Sequence, residues 1–378
     1  KDNFIALLTD LRKAFDCLNH DLLISKLKCY GLDEKSLCLI HSYLCNRKQR
    51  VKIGNIYSST KNVETGVPQG SILGPLLFNI HIADLFDFLS EVDIANFADD
   101  TTPYVTNIDI NKGISDIERI TSALIEWFSN NYMKANPEKC HLLTSSSDEV
   151  SVILDGNVIN ASSSEKLLGV RIDCNLSFNE HVEGLCKKAS QKLSALARIS
   201  HYLNESKRKT LFKSFILSQF GYCPLVWMFH SRKLNTRIDR IHERALRIVY
   251  QDNESPFLDL LQKDKSVTIH QRNIQVLATE IFKIKIGTAP NIISEIFNHR
   301  NNKYSLRNPS EFERIRKNTV KFGENSLTYL APIIWDQVPA EMKLYNDLNQ
   351  FKRAIKSFVF QNCPCRICKI YIQGVGFL

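Results

Sequence analysis

Two short apolar runs in this chain end on carboxylates. Ala6-Leu7-Leu8-Thr9 runs into Asp10, and Ile94-Ala95-Asn96-Phe97-Ala98 runs into Asp99-Asp100. Residues 4–11 are too short for an amphipathic helix and predict a buried strand. Residues 17–45 show helical periodicity broken at Gly31, and Arg50-Val51-Lys52-Ile53-Gly54-Asn55 alternates and then turns, as a hairpin does. Gly66-Val67-Pro68-Gln69-Gly70 reads as a loop, followed by a helix from Ser71, its expected cap, to about Phe88. Strands are expected at Val92–Phe97 and Thr102–Thr106, with Asp99-Asp100 at the turn between them. An amphipathic helix is expected over 113–133. Further strands are predicted at Cys140–Leu143, Val150–Leu154 and Lys166–Ile172, with a hairpin turn at Asp155-Gly156-Asn157. From about residue 178 the pattern is mostly helical, without internal repeats or low-complexity segments.

Neighbouring strands that carry Asp at their ends can hold divalent metal ions. In nucleotide transfer a 3′-hydroxyl attacks an α-phosphate, charge builds on both the attacking and the leaving oxygen, and two metal ions about 3.5–4 Å apart stabilise both. Mg²⁺ needs hard oxygen ligands, which makes Asp10 and Asp99 the first expected ligands and Asp100 the next. Taken alone, Asp99-Asp100 reads as an ordinary turn. The Asp10 run and the Gly-Pro loop between the two runs reverse that reading.

With 378 residues the chain exceeds one ordinary core, and two or three domains are expected. The net charge of +9 is unevenly placed: residues 181–250 hold fourteen Lys/Arg against four Asp/Glu. That bias points to a polyanionic partner, or to a solvated helix surface. Within it, Ile238, Ile241, Ala245 and Ile248 form one helical stripe, and Arg237, Arg240, Arg244 and Arg247 form its neighbour. Lys187, Lys188, Lys192, Lys207, Arg208 and Lys209 are expected to extend the basic face. Eleven mostly scattered cysteines fit reduced thiols and an intracellular setting better than a disulfide framework. No window is apolar enough to span a membrane and no signal peptide is seen. Cys363, Cys365 and Cys368 offer three thiolates to zinc, but no His follows nearby, so a free tail is the expectation.

The order of motifs resembles the reverse transcriptases of non-LTR (LINE-type) retrotransposons, especially the jockey/CR1-like group. Thr9-Asp10-Leu11-Arg12-Lys13-Ala14-Phe15-Asp16 resembles the first metal-binding motif. Gly66 to Phe78 resembles the template- and nucleotide-positioning motif, and Phe97-Ala98-Asp99-Asp100 the catalytic hairpin. Asn136-Pro137-Glu138-Lys139-Cys140 and the strand Lys166-Leu167-Leu168-Gly169-Val170 resemble the next two, the last being the primer grip. The stretch Ser255–Phe358, with Trp335-Asp336-Gln337-Val338-Pro339, resembles the C-terminal part of these elements.

The resemblance implies an RNA-directed DNA polymerase using two Mg²⁺ ions, with Mn²⁺ as a substitute, held by Asp10, Asp99 and Asp100. Its partners would be an RNA template, a DNA primer and dNTPs, with the element RNA in a ribonucleoprotein. Phe15 falls where the family excludes a 2′-hydroxyl; without the motif it reads as a core residue. Gln69 and Gly70 fall at the template base and incoming nucleotide, and Lys139 where a lysine protonates pyrophosphate. Lys13 lies over the triphosphate or simply on the surface. Asp16 reads as a hydrogen-bonding residue rather than a ligand. The implied fold is α+β: a palm with an antiparallel sheet (1–175), an all-α basic thumb (176–250), a helical extension (251–362) and a Cys-containing tail (363–378). Fingers and endonuclease are missing from the sequence, which is expected to be a piece of a longer protein. The competing readings are a catalytically dead nucleic-acid-binding relic and a maturase- or telomerase-like relative.

Overall fold

The computed structural model describes residues 3–146, 149–297, 310–316, 319, 323–361, 363, 365, 367 and 368. The chain divides into two compact units, Lys1–Asn175 and Leu176–Leu378.

The first unit begins with β1 (Asn3–Leu8), then α1 (His20–Cys29) and α2 (Glu34–Leu44), capped by the side chains of Asn19 and Asp33. Two small ladders follow: β2 (Arg47–Gln49) with β5 (Lys61–Val63), enclosing β3 (Lys52–Ile53) with β4 (Ile56–Tyr57). Next come α3 (Leu73–Ile82), α4 (Asp84–Phe88), β6 (Asp93–Phe97), β7 (Asp100–Asn107) and α5 (Ile110–Asn130). The unit closes with β8 (His141–Thr144), β9 (Ser151–Leu154), β10 (Asn157–Ser162), β11 (Ser164–Leu167) and β12 (Val170–Asp173). The helix expected from Ser71 starts two residues later, but the Ser71 hydroxyl still accepts a bond from the Gly74 amide at 3.0 Å.

Six strands form one sheet in the order β6-β7-β1-β8-β10-β9. It is not wholly antiparallel as expected, because β8 and β10 run parallel. The β9–β10 hairpin places its second strand inward, beside β8, so that strand must share the β8 direction. Asp155 (φ +47°) and Gly156 (φ +75°) make its two-residue turn. The single strand expected over Lys166–Ile172 is instead the β11–β12 hairpin, turned at Leu168 (φ +46°) and Gly169 (φ +87°). Apolar positions of α5 recur every three or four residues, and Ile117, Ile120, Leu124, Trp127 and Phe128 are all buried. The upper part of this stripe joins the core around Ile5, Leu7 and Leu142, and the lower part joins Phe78, Leu23 and Leu85. Lys26 fastens the helical side: its ammonium bonds Asp84 at 2.7 Å, the His81 carbonyl at 2.6 Å and Asn131 at 2.6 Å.

Among the described residues, the regular elements of the second unit are all helices. Its helices are α6 (Asn179–Ile199), α7 (Glu205–Leu211), α8 (Pro224–Trp227), α9 (Arg232–Tyr250), α10 (Phe257–Asp264), α11 (Ile269–Lys285), α12 (Asn291–Ser294), α13 (Leu327–Gln337), α14 (Ala340–Lys343) and α15 (Leu348–Ile355). One core gathers α6, α9 and α10, and a second gathers α11, α13 and α15 around Phe282, Trp335 and Phe351. The WDQVP motif is part of that packing. The Trp335 indole N–H donates to Glu311 at 2.7 Å, and Asp336 pairs with Arg314 at 2.7 Å.

His242 is buried between Phe212 and Phe257, and neither ring nitrogen has a hydrogen-bond partner among the described residues. Burial pushes its pKa from 6.5 down to about 4. Above pH 6.5 both folded and unfolded rings are neutral, so the group adds no pH dependence. Between 6.5 and 4 the unfolded chain takes up a proton that the folded chain refuses, and stability falls on acidification. Thermal melts at pH 7 and pH 5 should show this fall, and His242→Leu should remove its share, up to about 3 kcal/mol near pH 4.

Candidate active site

The site is set by strand register. Ala6 pairs with Tyr104 in the β1–β7 ladder, and the pairing continues to a bridge between Thr9 and Thr101. One step further sets Asp10 against Asp100. The Thr9 amide and hydroxyl both donate to the Thr101 carbonyl, at 3.0 and 2.6 Å, and both threonines are buried. These two hydrogen bonds lock the register next to the carboxylates.

Asp99 sits in the two-residue turn that joins β6 to β7, and Asp100 begins β7 rather than lying in the turn. Ala98 occupies that turn at φ +54°, a left-handed conformation that costs a residue with a Cβ about 1 kcal/mol. The Asn96 amide braces the turn by donating to the Ala98 carbonyl at 3.2 Å and to the Thr101 hydroxyl at 2.9 Å. Partial desolvation, then the charges of Asp99 and Asp10, raise the Asp100 pKa above its ordinary value. The three carboxylates therefore share one negative field. They are not drawn into a tight donor group; among the described residues that occurs at His270, Cys363, Cys365 and Cys368. The donor set fits a divalent metal, because hard oxygens that repel one another are stabilised by a hard cation.

The Asn136–Cys140 motif grips Asp10 from the other side. The Asn136 amide donates to the Asp10 carbonyl at 2.8 Å, and its side chain to Asp10 Oδ2 at 3.3 Å. Lys139 is exposed, with Nζ 3.8 Å from Asp10 Oδ2, and the Asp10 amide points at Cys140 Sγ, 3.4 Å away. Sequence reading missed Asn136 and Asn96 as positioning side chains; an Asn inside each motif was the available signal.

The Gly-Pro loop packs on the segment after Asp10. A Cβ on Gly66 would meet Asp16 Cα and the Phe15 carbonyl at 2.7 Å, and the Gly66 carbonyl accepts from His20 at 2.8 Å and from Arg47. Gln69 donates to Asp16 Oδ1 at 2.9 Å, in keeping with a hydrogen-bonding Asp16. Nothing lies within 4 Å of a Cβ on Gly70, and within the chain it is its φ of +80° that favours glycine. Phe15 is half-buried and stacks on Phe78 at 4.4 Å, leaving part of the ring exposed. Lys13, Asp16, Arg47, Lys48 and Gln69 line an open cleft of about 850 Å³.

In the second unit, α9 buries Ile238, Ile241, Ala245 and Leu246, and exposes Arg237, Arg240 and Arg244. Lys187 and Lys188 of α6 are exposed, and the Arg237 charge acts on the adjacent Cys186 thiol. Three expected members leave this face. Arg247 is paired with Glu243 at 2.7 Å and donates to the Asn253 carbonyl. Arg208 is buried, donating to the carbonyls of Val249 at 2.8 Å and Leu203 at 2.5 Å. Lys209 pairs with Asp264 at 2.6 Å. Arg208 thereby supplies a donor near the C-terminal end of α9, where unpaired carbonyls need one, and the other two charges are taken up by internal carboxylates.

Carboxylates on adjacent antiparallel strands, one pair carried by a tight hairpin, suit phosphoryl-transfer chemistry assisted by divalent metal ions. Residues 1–172 match the reverse transcriptase (RNA-dependent DNA polymerase) family. It is 28% identical over 268 residues to the probable RNA-directed DNA polymerase from transposon BS of Drosophila melanogaster, which covers 65% of this chain and 28% of that protein. It is 29% identical over 260 residues to the RNA-directed DNA polymerase from mobile element jockey of the same fly, with the same coverages of 65% and 28%. These relatives bear out the resemblance read from the motifs, and the chain spans about 28% of their length. Among solved structures it is similar to apo telomerase from Candida tropicalis, at 14% identity over 68% of this chain and 43% of that chain, with a TM-score of 0.36. No described helix is long and apolar enough to cross a membrane.

The two glycines separate packing from conformation. In urea unfolding, Gly66→Ala should destabilise by at least about 3 kcal/mol, because the added methyl meets backbone. Gly70→Ala should cost only about 1 kcal/mol, the price of φ alone.

Proposed function

We propose that this chain is the polymerase part of a non-LTR retrotransposon reverse transcriptase, extending a DNA primer along an RNA template with dNTPs. The observation that supports it most is the register that sets Asp10 against Asp100 beside the Asp99 turn. Two Mg²⁺ ions held by Asp10, Asp99 and Asp100 would supply charge that stabilises both the attacking and the leaving oxygen, and Mn²⁺ would substitute. Asn136 and the Thr9–Thr101 bonds orient Asp10 and its partner strand. Lys139, exposed beside Asp10, gives a proton to departing pyrophosphate. The exposed part of Phe15 meets the sugar C2′ and excludes a 2′-hydroxyl, its far face held by Phe78. Gln69 and Gly70 face the template base and nucleotide, and Lys13 in the cleft receives the triphosphate. Arg237, Arg240, Arg244, Lys187 and Lys188 hold primer–template phosphates. In its element the domain acts in a ribonucleoprotein with the element RNA.

Primer extension on an RNA template tests the reading. Wild type should extend, and Asp99→Asn should lose at least about 100-fold in rate, as when one strong electrostatic contact to the transition state is removed. No extension with salt-sensitive primer–template binding intact would favour the catalytically dead relic. Binding measured against salt separates the arginines. Arg237→Ala, Arg240→Ala and Arg244→Ala should each lower the log–log salt slope by about 1, and Arg247→Ala should leave it unchanged.

A further inference from the structure

We propose that His270, Cys363, Cys365 and Cys368 form a structural zinc site that locks the C-terminal tail onto α11. The four donor atoms lie within 4.8 Å of one another. His270 Nε2 is 3.8 Å from Cys363 Sγ, 3.4 Å from Cys365 Sγ and 3.2 Å from Cys368 Sγ. A tetrahedral zinc with ordinary Zn–S and Zn–N bonds sets nitrogen about 3.6 Å from each sulfur, and the three distances bracket that value.

Hydrogen bonding does not account for the arrangement. An imidazole nitrogen carries one lone pair or one proton, so Nε2 can serve one thiol and not three. A metal bound at the centre would satisfy all four groups at once. All three cysteines are free thiols rather than disulfides, and His270, Cys363 and Cys365 are 6%, 2% and 3% exposed. Three soft sulfurs and an imidazole select zinc over Mg²⁺ or Ca²⁺, and four protein ligands fill its coordination shell, which marks a structural site.

The surrounding contacts preorganise the site. Thr268 caps α11 and fixes the turn that carries His270. The next residue, Gln271, donates to the Phe360 carbonyl at 2.8 Å and accepts from the Phe360 amide at 3.1 Å. One turn on, Gln275 donates to the carbonyls of Phe358 at 3.0 Å and Lys356 at 3.2 Å. The segment that leads to the cysteines is thus fastened to α11 before any ligand is counted. The fourth ligand lies 93 residues upstream of the first cysteine, where spacing rules for a tail motif do not look.

The test is metal content of the full chain purified under reducing conditions, with cobalt substitution as the second readout. Wild type should carry one zinc equivalent, and the cobalt form should show the visible absorption of tetrahedral thiolate–imidazole coordination. His270→Ala and Cys365→Ser should fall below about a tenth of an equivalent, while Cys29→Ser, at an exposed cysteine, keeps the metal. The proposal is overturned if reduced wild type takes up neither metal, if its thiols prove to be disulfide-linked, or if His270→Ala retains full zinc. The cobalt titration of wild type decides the matter even where a variant does not fold.

Discussion

The pairing of β1 with β7 is the constraint on which the rest of the first unit depends. Side chains on a strand alternate with period two, so a slip of one residue would turn Asp10 to the opposite face and bury it where Leu7 and Ile5 pack. The buried Thr9–Thr101 contact prevents that slip at the position where it matters. The other flank of β1 is held by β8, and the Asn136–Cys140 turn that enters β8 is the same segment that grips Asp10. Core packing and carboxylate placement are therefore one decision: the apolar residues fix the register, and the register fixes the chemistry.

Strain and close approach are confined to the loops around this centre. Ala98 sits in a left-handed turn conformation where glycine would be easier, and Asn96 pins the turn in place. Gly66 lets two loops touch backbone to backbone, which brings Gln69 to Asp16. In the second unit charge is handled by sorting. Arginines on one side of α9 stay exposed, while the buried Arg208 satisfies the carbonyls of Val249 and Leu203.

The placement of the carboxylates was legible in the sequence because short apolar runs ending in Asp announce strand ends. The helices were legible from apolar spacing, as in Ile117 to Phe128. What escaped was non-local. A Leu168-Gly169 turn inside an apolar run carries weaker turn chemistry than Asp155-Gly156, so one strand was expected where two exist. The inward placement of β10 follows from packing, which no local pattern encodes. Arg208, Lys209 and Arg247 look like surface charge until their carbonyl and carboxylate partners are known. His270 looks like a core histidine until the tail folds back upon it.

The central claim is that Asp10, Asp99 and Asp100 form one divalent-cation site. Paramagnetic relaxation by Mn²⁺ tests it directly, with no need for turnover. The account predicts saturable Mn²⁺ binding that broadens signals of residues flanking Asp10 and Asp100 together, that Mg²⁺ displaces, and that Asp10→Asn weakens sharply. Binding that survives that substitution, or broadening confined to one of the two strands, would contradict it.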